Sequence, residues 1–147
     1  MTILDPEQAF RAVLVFLEQY WEGAGHPEEV GGILTFSHFT PGHGTADPAM
    51  WYDWLAAIKQ VQTGVVTRDG DWRSLKPEAM APMGPEQAYL AMFRFIEDYW
   101  NRVSRPPELG ALLGFMHHIP GTGTKDPSMW QNWLAALDKV LGDAARS

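Results

Sequence analysis

The sequence predicts an all-α protein of two homologous three-helix units, packed as one six-helix domain with a pseudo-two-fold axis. The first observation is an internal repeat: residues 6–62 align without a gap to residues 85–141, with 28 identical pairs in 57 positions, which indicates a duplication. The second is that apolar residues in each unit recur every three or four positions, as on one face of a helix. The third is that proline marks three helix starts in each unit.

The repeat divides the chain into a first unit at residues 1–62, a linker at residues 63–84 and a second unit at residues 85–147. Three helices in a unit of this length cannot bury apolar faces this wide on their own, so we expect the units to share one core. Within the linker, an Asp-Gly pair beginning at Asp69, flanked by valines and Trp72, predicts a small hairpin that lies against the helices and is anchored by that tryptophan.

The first helix of each unit opens with Pro-Glu-Gln-Ala, at Pro6 and at Pro85. Proline in the first helical position and an early carboxylate both favour a helix start. The apolar stripe that follows predicts a helix of about 17 residues in each unit. Phe16 and Phe95 occupy equivalent positions off this stripe, and we expect each to contact either the other unit or a partner protein.

A second and a third helix follow in each unit. The second begins after Pro27 or Pro106 and contains glycines, which predict close packing against a neighbouring helix. It ends at a P-G-x-G-T-x-D-P loop, whose aspartate, Asp47 or Asp126, is placed to cap the third helix. An aromatic stripe on the third helix is expected to face the core, and it consists of Trp51, Trp54, Trp130 and Trp133.

The composition excludes several classes of protein. The 147 residues are 46% hydrophobic and include no cysteine, so we expect a packed core without disulfide bonds or cysteine-ligated zinc. The N-terminus lacks a basic stretch followed by an apolar run, and no segment has the roughly 20 apolar residues of a membrane helix. We therefore expect a soluble, unexported protein of the cytoplasm.

The net charge of −7 belongs almost entirely to the first unit. Residues 1–62 contain eight acidic and two basic residues, whereas residues 85–147 contain seven and six. A nucleic-acid partner is disfavoured, because phosphate binding requires clustered Lys and Arg. The acidic surplus has two interpretations, solubility of the chain or attraction of a basic protein partner.

The acidic positions supply candidate protein-binding residues. Glu22, Glu28 and Asp53 have no acidic counterpart in the second unit. Glu18 and its counterpart Glu97 are interpreted either as solvated helix-face residues or as a carboxylate pair for acid–base chemistry. The full candidate set for protein binding is Glu18, Glu22, Glu28, Glu29, Asp53, Phe16 and Phe95.

The five histidines raise the question of a metal site. His38 and His117 stand at equivalent positions after the second helices, whereas His43 and His118 are unique to their copies. None of the common metal-binding spacings is present, so we expect neither a metal nor a cofactor. The two equivalent histidines either bond a loop carbonyl or serve as a ligand or general base. The glycine-rich loops are expected to be structural, because their cap aspartates would repel phosphate.

A longer motif carries a family resemblance. The pattern A-x-x-A-x-x-x-F-x-E-x-Y-W, then a short helix with Leu-Leu or Ile-Leu, then D-P-x-M-W-x-x-W-L-A-A, resembles small acidic helical bacterial immunity proteins of polymorphic-toxin and contact-dependent growth inhibition loci. The resemblance covers each unit in turn. It implies a helical framework and stoichiometric binding of a toxin.

These observations together predict a cytoplasmic immunity protein that masks the active site of a basic toxin and catalyses no reaction. One alternative is an enzyme or small-molecule-binding protein with a pocket between the units, lined by His38, His117 and tryptophans. Another is a structural module for oligomerisation. The predicted partner is a basic protein, not nucleic acid or a membrane, and self-association is compatible with this prediction.

Overall fold

The computed structural model describes residues 3–40, 44–64, 75–77, 80–119, 123–124 and 127–146, and it confirms the all-helical fold class. In chain order, the described elements are α1 Pro6–Gly23, α2 Glu28–Ser37, β1 Phe39–Thr40, β2 Gly44–Thr45, α3 Pro48–Thr63, α4 Pro85–Arg102, α5 Pro107–Met116, β3 His118–Ile119, β4 Gly123–Thr124 and α6 Pro127–Arg146. The strands form two small antiparallel ribbons, β1 with β2 and β3 with β4. The sequence analysis did not predict these ribbons.

Local signals start the helices where they were expected. The Asp5 carboxylate accepts a hydrogen bond from the Gln8 amide at 2.7 Å, and the Gln8 side chain accepts one from the Asp5 amide at 3.1 Å. The Asp47 carboxylate accepts from the Ala49 amide at 3.0 Å at the start of α3. These bonds satisfy amides that the first helical turn leaves without partners. The equivalent cap at Asp126 lies outside the described residues.

Helices of the two sequence units pack across each other. The most extensive helix contacts join α1 with α6 and α3 with α4, so the third helix of each unit lies on the first helix of the other. Within the units, α2 lies on α1 and α5 lies on α4. The chain segments that precede α1 and α4 are also joined, because Leu4 and Met83 exchange backbone hydrogen bonds of 2.8 and 3.1 Å. One core therefore spans both units.

Phe16 and Phe95 are part of that shared core. The Phe95 ring, on α4, lies 5.8 Å from the Phe10 ring and 6.0 Å from the Trp54 ring, both in the first unit. The Phe16 ring, on α1, lies 6.3 Å from the Trp133 ring of α6. Both phenylalanines are buried, so the expectation that they contact the other unit is confirmed. Their place in the protein-binding set was wrong, because a buried ring is not available to a partner.

Glycines in α2 and α5 allow aromatic rings to approach the helix backbone. A Cβ atom on Gly31 would lie 3.1 Å from the Trp21 indole nitrogen, and one on Gly110 would lie 3.4 Å from the Trp100 indole nitrogen. The distance at Gly31 is shorter than ordinary van der Waals contact, so a Cβ atom there would push the indole away, whereas the distance at Gly110 is an ordinary close contact. The predicted close packing is confirmed, with α1 and α4 as the neighbouring helices.

The described ends of the linker are bonded to the helices. The Gln62 side chain donates to the Ala81 carbonyl at 2.6 Å and accepts from the Ala81 amide at 3.1 Å, and Leu75 is buried. The hairpin predicted at Asp69, with Trp72 as its anchor, lies outside the described residues. None of the described helices is both long and apolar enough to cross a membrane.

Candidate functional site

A groove with a volume of about 700 Å³ lies between α1 and α2 of the first unit. Three candidate side chains from the sequence line it: Glu18, Glu28 and His38. Trp21 and His26 line it as well. We call this the α1/α2 groove. Its volume falls in the range of about 300–1,000 Å³ that is typical of ligand sites in proteins.

The turn between α1 and α2 places His26 over Trp21. Gly25 and His26 both have a left-handed backbone, with φ angles of 84° and 63°, and the His26 amide donates to the Trp21 carbonyl at 2.8 Å. The two rings are therefore stacked, with centroids 4.1 Å apart and planes inclined by 34°. The edge of the same indole rests on Gly31 of α2. Trp21 thus joins both helices and the turn at one end of the groove.

The carboxylates of the groove have no cation beside them in the part of the chain that the structure describes. Glu18 and Glu28 are exposed, and so is Glu22, one turn beyond Glu18 on α1. The ion pairs among the described residues join Arg11 with Glu7, Arg94 with Glu97 and Arg102 with Asp53. Three carboxylates therefore lie on or near the groove, and none of them forms an ion pair with a described residue of the chain.

The equivalent positions of the second unit carry their own cations. Glu97, the counterpart of Glu18, accepts a hydrogen bond of 3.0 Å from Arg94. Arg105 has the left-handed backbone of its counterpart His26, with a φ angle of 56°. Its guanidinium carbon lies 5.5 Å from the centre of the Trp100 ring, and its Nε atom donates to the Asn101 side chain at 3.0 Å. Arg94 thus neutralises the counterpart of Glu18, and Arg105 adds a positive charge beside Trp100.

Two equivalent carboxyl groups meet where α2 contacts α5. The interaction between the side chains of Glu29 and Glu108 lowers the pKa of Glu29 and raises the pKa of Glu108, which burial and repulsion from Glu29 and Glu28 raise further. Burial and then the Glu108 charge raise the pKa of Tyr20. The sequence left open either solvated helix-face residues or a carboxylate pair at Glu18 and Glu97; in the structure Glu18 lines the groove and Glu97 bonds Arg94.

The carboxyl pair predicts a pH-dependent stability. Because the pKa of Glu108 is raised above its ordinary 4.5, the folded protein binds this proton more tightly than the unfolded chain. Stability should therefore rise as the pH falls from about 7 towards about 5. Glu108→Gln should be more stable than the wild type at about pH 7, since the amide is not repelled by Glu29 and Glu28, and this advantage should shrink at about pH 5. Urea unfolding at both pH values measures the difference.

The matched control for this prediction is Asp138→Asn, which removes an exposed carboxylate on α6. Its stability relative to the wild type should change little between the two pH values. A Glu108→Gln protein whose stability follows pH in parallel with the wild type would show that the two carboxyl groups do not share a proton.

Asp53 is placed differently from the other acidic candidates. Its Oδ2 atom lies 2.6 Å from an Arg102 nitrogen, in an ion pair between α3 and α4. Burial raises the pKa of Asp53 in spite of this arginine, and burial followed by the Asp53 charge raises the pKa of Asp98. Asn132, the counterpart of Asp53, lines a small cavity with the uncharged Gln19. Asp53 is therefore neutralised within the chain, and it does not belong in the protein-binding set.

The two equivalent histidines do not meet in a common pocket. His38 lines the α1/α2 groove, whereas His117 lines a separate cavity of about 430 Å³ and contacts Phe93 with ring centroids 6.2 Å apart. Neither of these two cavities is lined by both histidines. His43 and the His118 side chain lie outside the described parts. Among the described residues, no group of three or more His, Asp or Glu side chains is placed to hold a metal ion.

The sequence analysis missed the role of the α1–α2 turn. The exchange of His26 for Arg105 between the units was visible in the repeat, but the left-handed backbone that aims both side chains at a tryptophan was not. Phe36 and Phe115 were also missed: these equivalent residues are 48% and 46% exposed at the ends of α2 and α5. Their apolar spacing alone does not distinguish an exposed ring from a buried one.

Comparison with known proteins yields no relative: no family model, curated protein or solved structure matches the chain.

Proposed function

We propose that this chain is a stoichiometric protein-binding module whose first unit binds a basic protein through the α1/α2 groove. We further propose that the partner is a bacterial toxin, which the chain neutralises in the cytoplasm as an immunity protein. The motif resemblance described above supports this role. The proposal requires no reaction and no cofactor.

One observation carries the proposal. The two units share a helical framework, but the second unit pairs its carboxylate at the shared α1/α4 position with an arginine and, among the described residues, the first unit does not. Glu97 bonds an arginine of its own unit. Glu18, at the equivalent position, has no such partner among the described residues, and exposed Glu22 and Glu28 add to its charge. Solubility alone requires no particular arrangement of charge. Three uncompensated carboxylates on and beside a groove fit a surface that receives cations from a partner.

The physical advantage of such a surface is in the rate of association. Proteins that act on nucleic acids are often basic, because they bind phosphates. An acidic inhibitor attracts a basic protein over a distance set by the Debye length, about 8–10 Å at ordinary ionic strength. Complementary charge therefore speeds encounter, and it contributes to specificity by disfavouring acidic proteins.

We propose, as part of the same interpretation, that the two homologous units are related by a pseudo-two-fold axis. Corresponding helices and strands of the two units begin at a constant spacing along the chain. This holds for α1 and α4, for α2 and α5, for the two ribbons, and for α3 and α6. The cross-unit contacts are also reciprocal, α1 with α6 and α3 with α4. Trp54 donates to the Pro6 carbonyl and Trp133 to the Pro85 carbonyl, both at 2.9 Å. Such a scaffold allows the first unit to specialise in binding while the second completes the core.

The test removes the three carboxylates together and follows association. A variant with Glu18, Glu22 and Glu28 all changed to Gln should associate with the partner about ten-fold more slowly at low salt, and its rate should depend less on ionic strength. The product of the neighbouring upstream gene is the first partner to try, and stopped-flow measurements between about 50 and 300 mM salt cover the screening range.

A matched control loses the same number of negative charges elsewhere on the surface. It carries Glu7→Gln, Glu86→Gln and Asp138→Asn, all at exposed positions outside the α1/α2 groove. This control should keep most of the wild-type association rate. If both triple variants slow association equally, the effect comes from net charge alone, and the groove is not the binding surface.

A further inference from the structure

We infer that the α1/α2 groove receives an arginine side chain of the partner, which takes the place of the exposed His26 ring on Trp21, with Glu18 and Glu28 as the anions that line the groove and Glu22 beside it. This inference rests on the proposed function and specifies the chemistry of the partner. The occupant is a basic segment of a protein with arginine at its centre.

The second unit contains an internal example of such an arginine. Arg105 places its guanidinium over the Trp100 ring, with the carbon 5.5 Å from the ring centre, and donates to the Asn101 side chain at 3.0 Å. The geometry is that of a cation held on an aromatic face by a polar neighbour. Each of these positions has a counterpart in the first unit.

In the first unit the aromatic wall and the polar neighbour are present, and the exposed His26 side chain lies on Trp21 where Arg105 lies on Trp100. Trp21 corresponds to Trp100, and Glu22 replaces Asn101 with a carboxylate that would bond a guanidinium more strongly. His26 replaces Arg105 on the same left-handed backbone. Glu18 also differs from its counterpart Glu97. Arg94 pairs with Glu97, but the position that corresponds to Arg94 in the first unit is a valine, so Glu18 has no such partner.

Arginine fits this environment better than lysine does. A guanidinium is planar, so it stacks on an indole and presents parallel N–H groups to a carboxylate at the same time. The ammonium of lysine is a more strongly hydrated point charge and cannot make both contacts with a flat face. The groove volume of about 700 Å³ accommodates an arginine together with flanking residues of a partner segment.

Two peptides of equal charge, octa-arginine and octa-lysine, test this inference by calorimetric titration into the full-length protein. The wild type should bind octa-arginine about ten-fold more tightly than octa-lysine. His26→Arg should reduce that preference to about two-fold or less, because the new side chain can occupy the groove from within, as Arg105 lies on Trp100. In the heteronuclear spectrum, the indole N–H signal of Trp21 should shift with octa-arginine in the wild type only.

The matched control is Gln19→Arg, which adds the same charge at an exposed position of α1 outside the lining of the groove. It should weaken both peptides alike and keep the preference for arginine. Both substitutions replace exposed residues, and the second unit already holds an arginine on the backbone that His26 adopts, so both variants should fold.

The outcomes separate this inference from the proposed function. Equal affinity of the wild type for the two peptides, or an arginine preference that survives His26→Arg, would overturn the arginine site. If in that case the triple Gln variant at Glu18, Glu22 and Glu28 still loses affinity for both peptides, the acidic surface remains a binding surface. Peptide affinities that are the same for the triple variant and the wild type would overturn the proposed function as well.

Discussion

Replacing Trp54 or Trp133 by alanine is expected to lower the free energy of unfolding by about 3–5 kcal/mol. Both side chains are fully buried. Each also donates its indole N–H to a backbone carbonyl at 2.9 Å, Trp54 to Pro6 and Trp133 to Pro85. The substitution therefore leaves a cavity and removes the hydrogen bond that ties the third helix of a unit to the start of its first helix. Urea denaturation followed by far-UV circular dichroism measures the loss.

Phenylalanine at the same positions separates the two contributions. Trp54→Phe keeps most of the ring and removes the donor, so its cost should be smaller than that of alanine by about 2 kcal/mol or more. Trp51 and Trp130 are only half-buried, and their alanine variants should be less destabilised than those of Trp54 and Trp133. A loss of less than about 1 kcal/mol for Trp54→Ala would mean that this ring does not support the core.

The helix starts were predictable because the forces that set them act within a few residues. The Asp5 carboxylate and the Gln8 side chain bond each other's backbone across a single turn, and Asp47 bonds the Ala49 amide. Such signals are complete in the local sequence. The close approach at Gly31 was also predictable, since a glycine within a helical stretch indicates that something lies close to the backbone.

Contacts between distant residues were harder to predict. The spacing of Phe16 and Phe95 shows that they lie off the main stripe, but only the crossed packing of α1 on α6 and α3 on α4 determines that both are buried. Likewise, the repeat identifies Glu29 and Glu108 as equivalent residues. Their meeting depends on the contact of α2 with α5, which no local periodicity encodes.

The candidate site was predicted in part for the same reason. Charge counting directed attention to the first unit, and Glu18 and Glu28 indeed line a common groove. A count of charges does not show which carboxylates are paired with a cation of the same chain. Asp53 was therefore included, although Arg102 forms an ion pair with it across the contact of α3 with α4. The position of His26 over Trp21 was not predictable, because a histidine in the left-handed region is uncommon and no local signal requires it there.

Cutting the chain between the units is expected to unfold both of them. In a fragment of residues 1–64, α1 lacks α6 and α3 lacks α4, which are their most extensive partners. Trp54 and Phe10 would then lose the Phe95 ring that packs against both. A chain this short has little core without those contacts, so the fragment should show low helicity and no cooperative thermal transition. Mixing it with residues 75–147 should restore helicity and produce a one-to-one complex, measured by circular dichroism and analytical ultracentrifugation.

Phe95→Ala in the second fragment provides the control for a specific, shared core. This change removes a ring that contacts the first unit, so it should weaken reassociation by the equivalent of about 3–5 kcal/mol, which is at least a hundred-fold in the dissociation constant. Phe115→Ala, at a position 46% exposed on α5, should leave reassociation almost unchanged. If residues 1–64 fold cooperatively as a monomer, each unit has a sufficient core of its own, and the crossed packing of α1 on α6 and α3 on α4 is not what stabilises the fold.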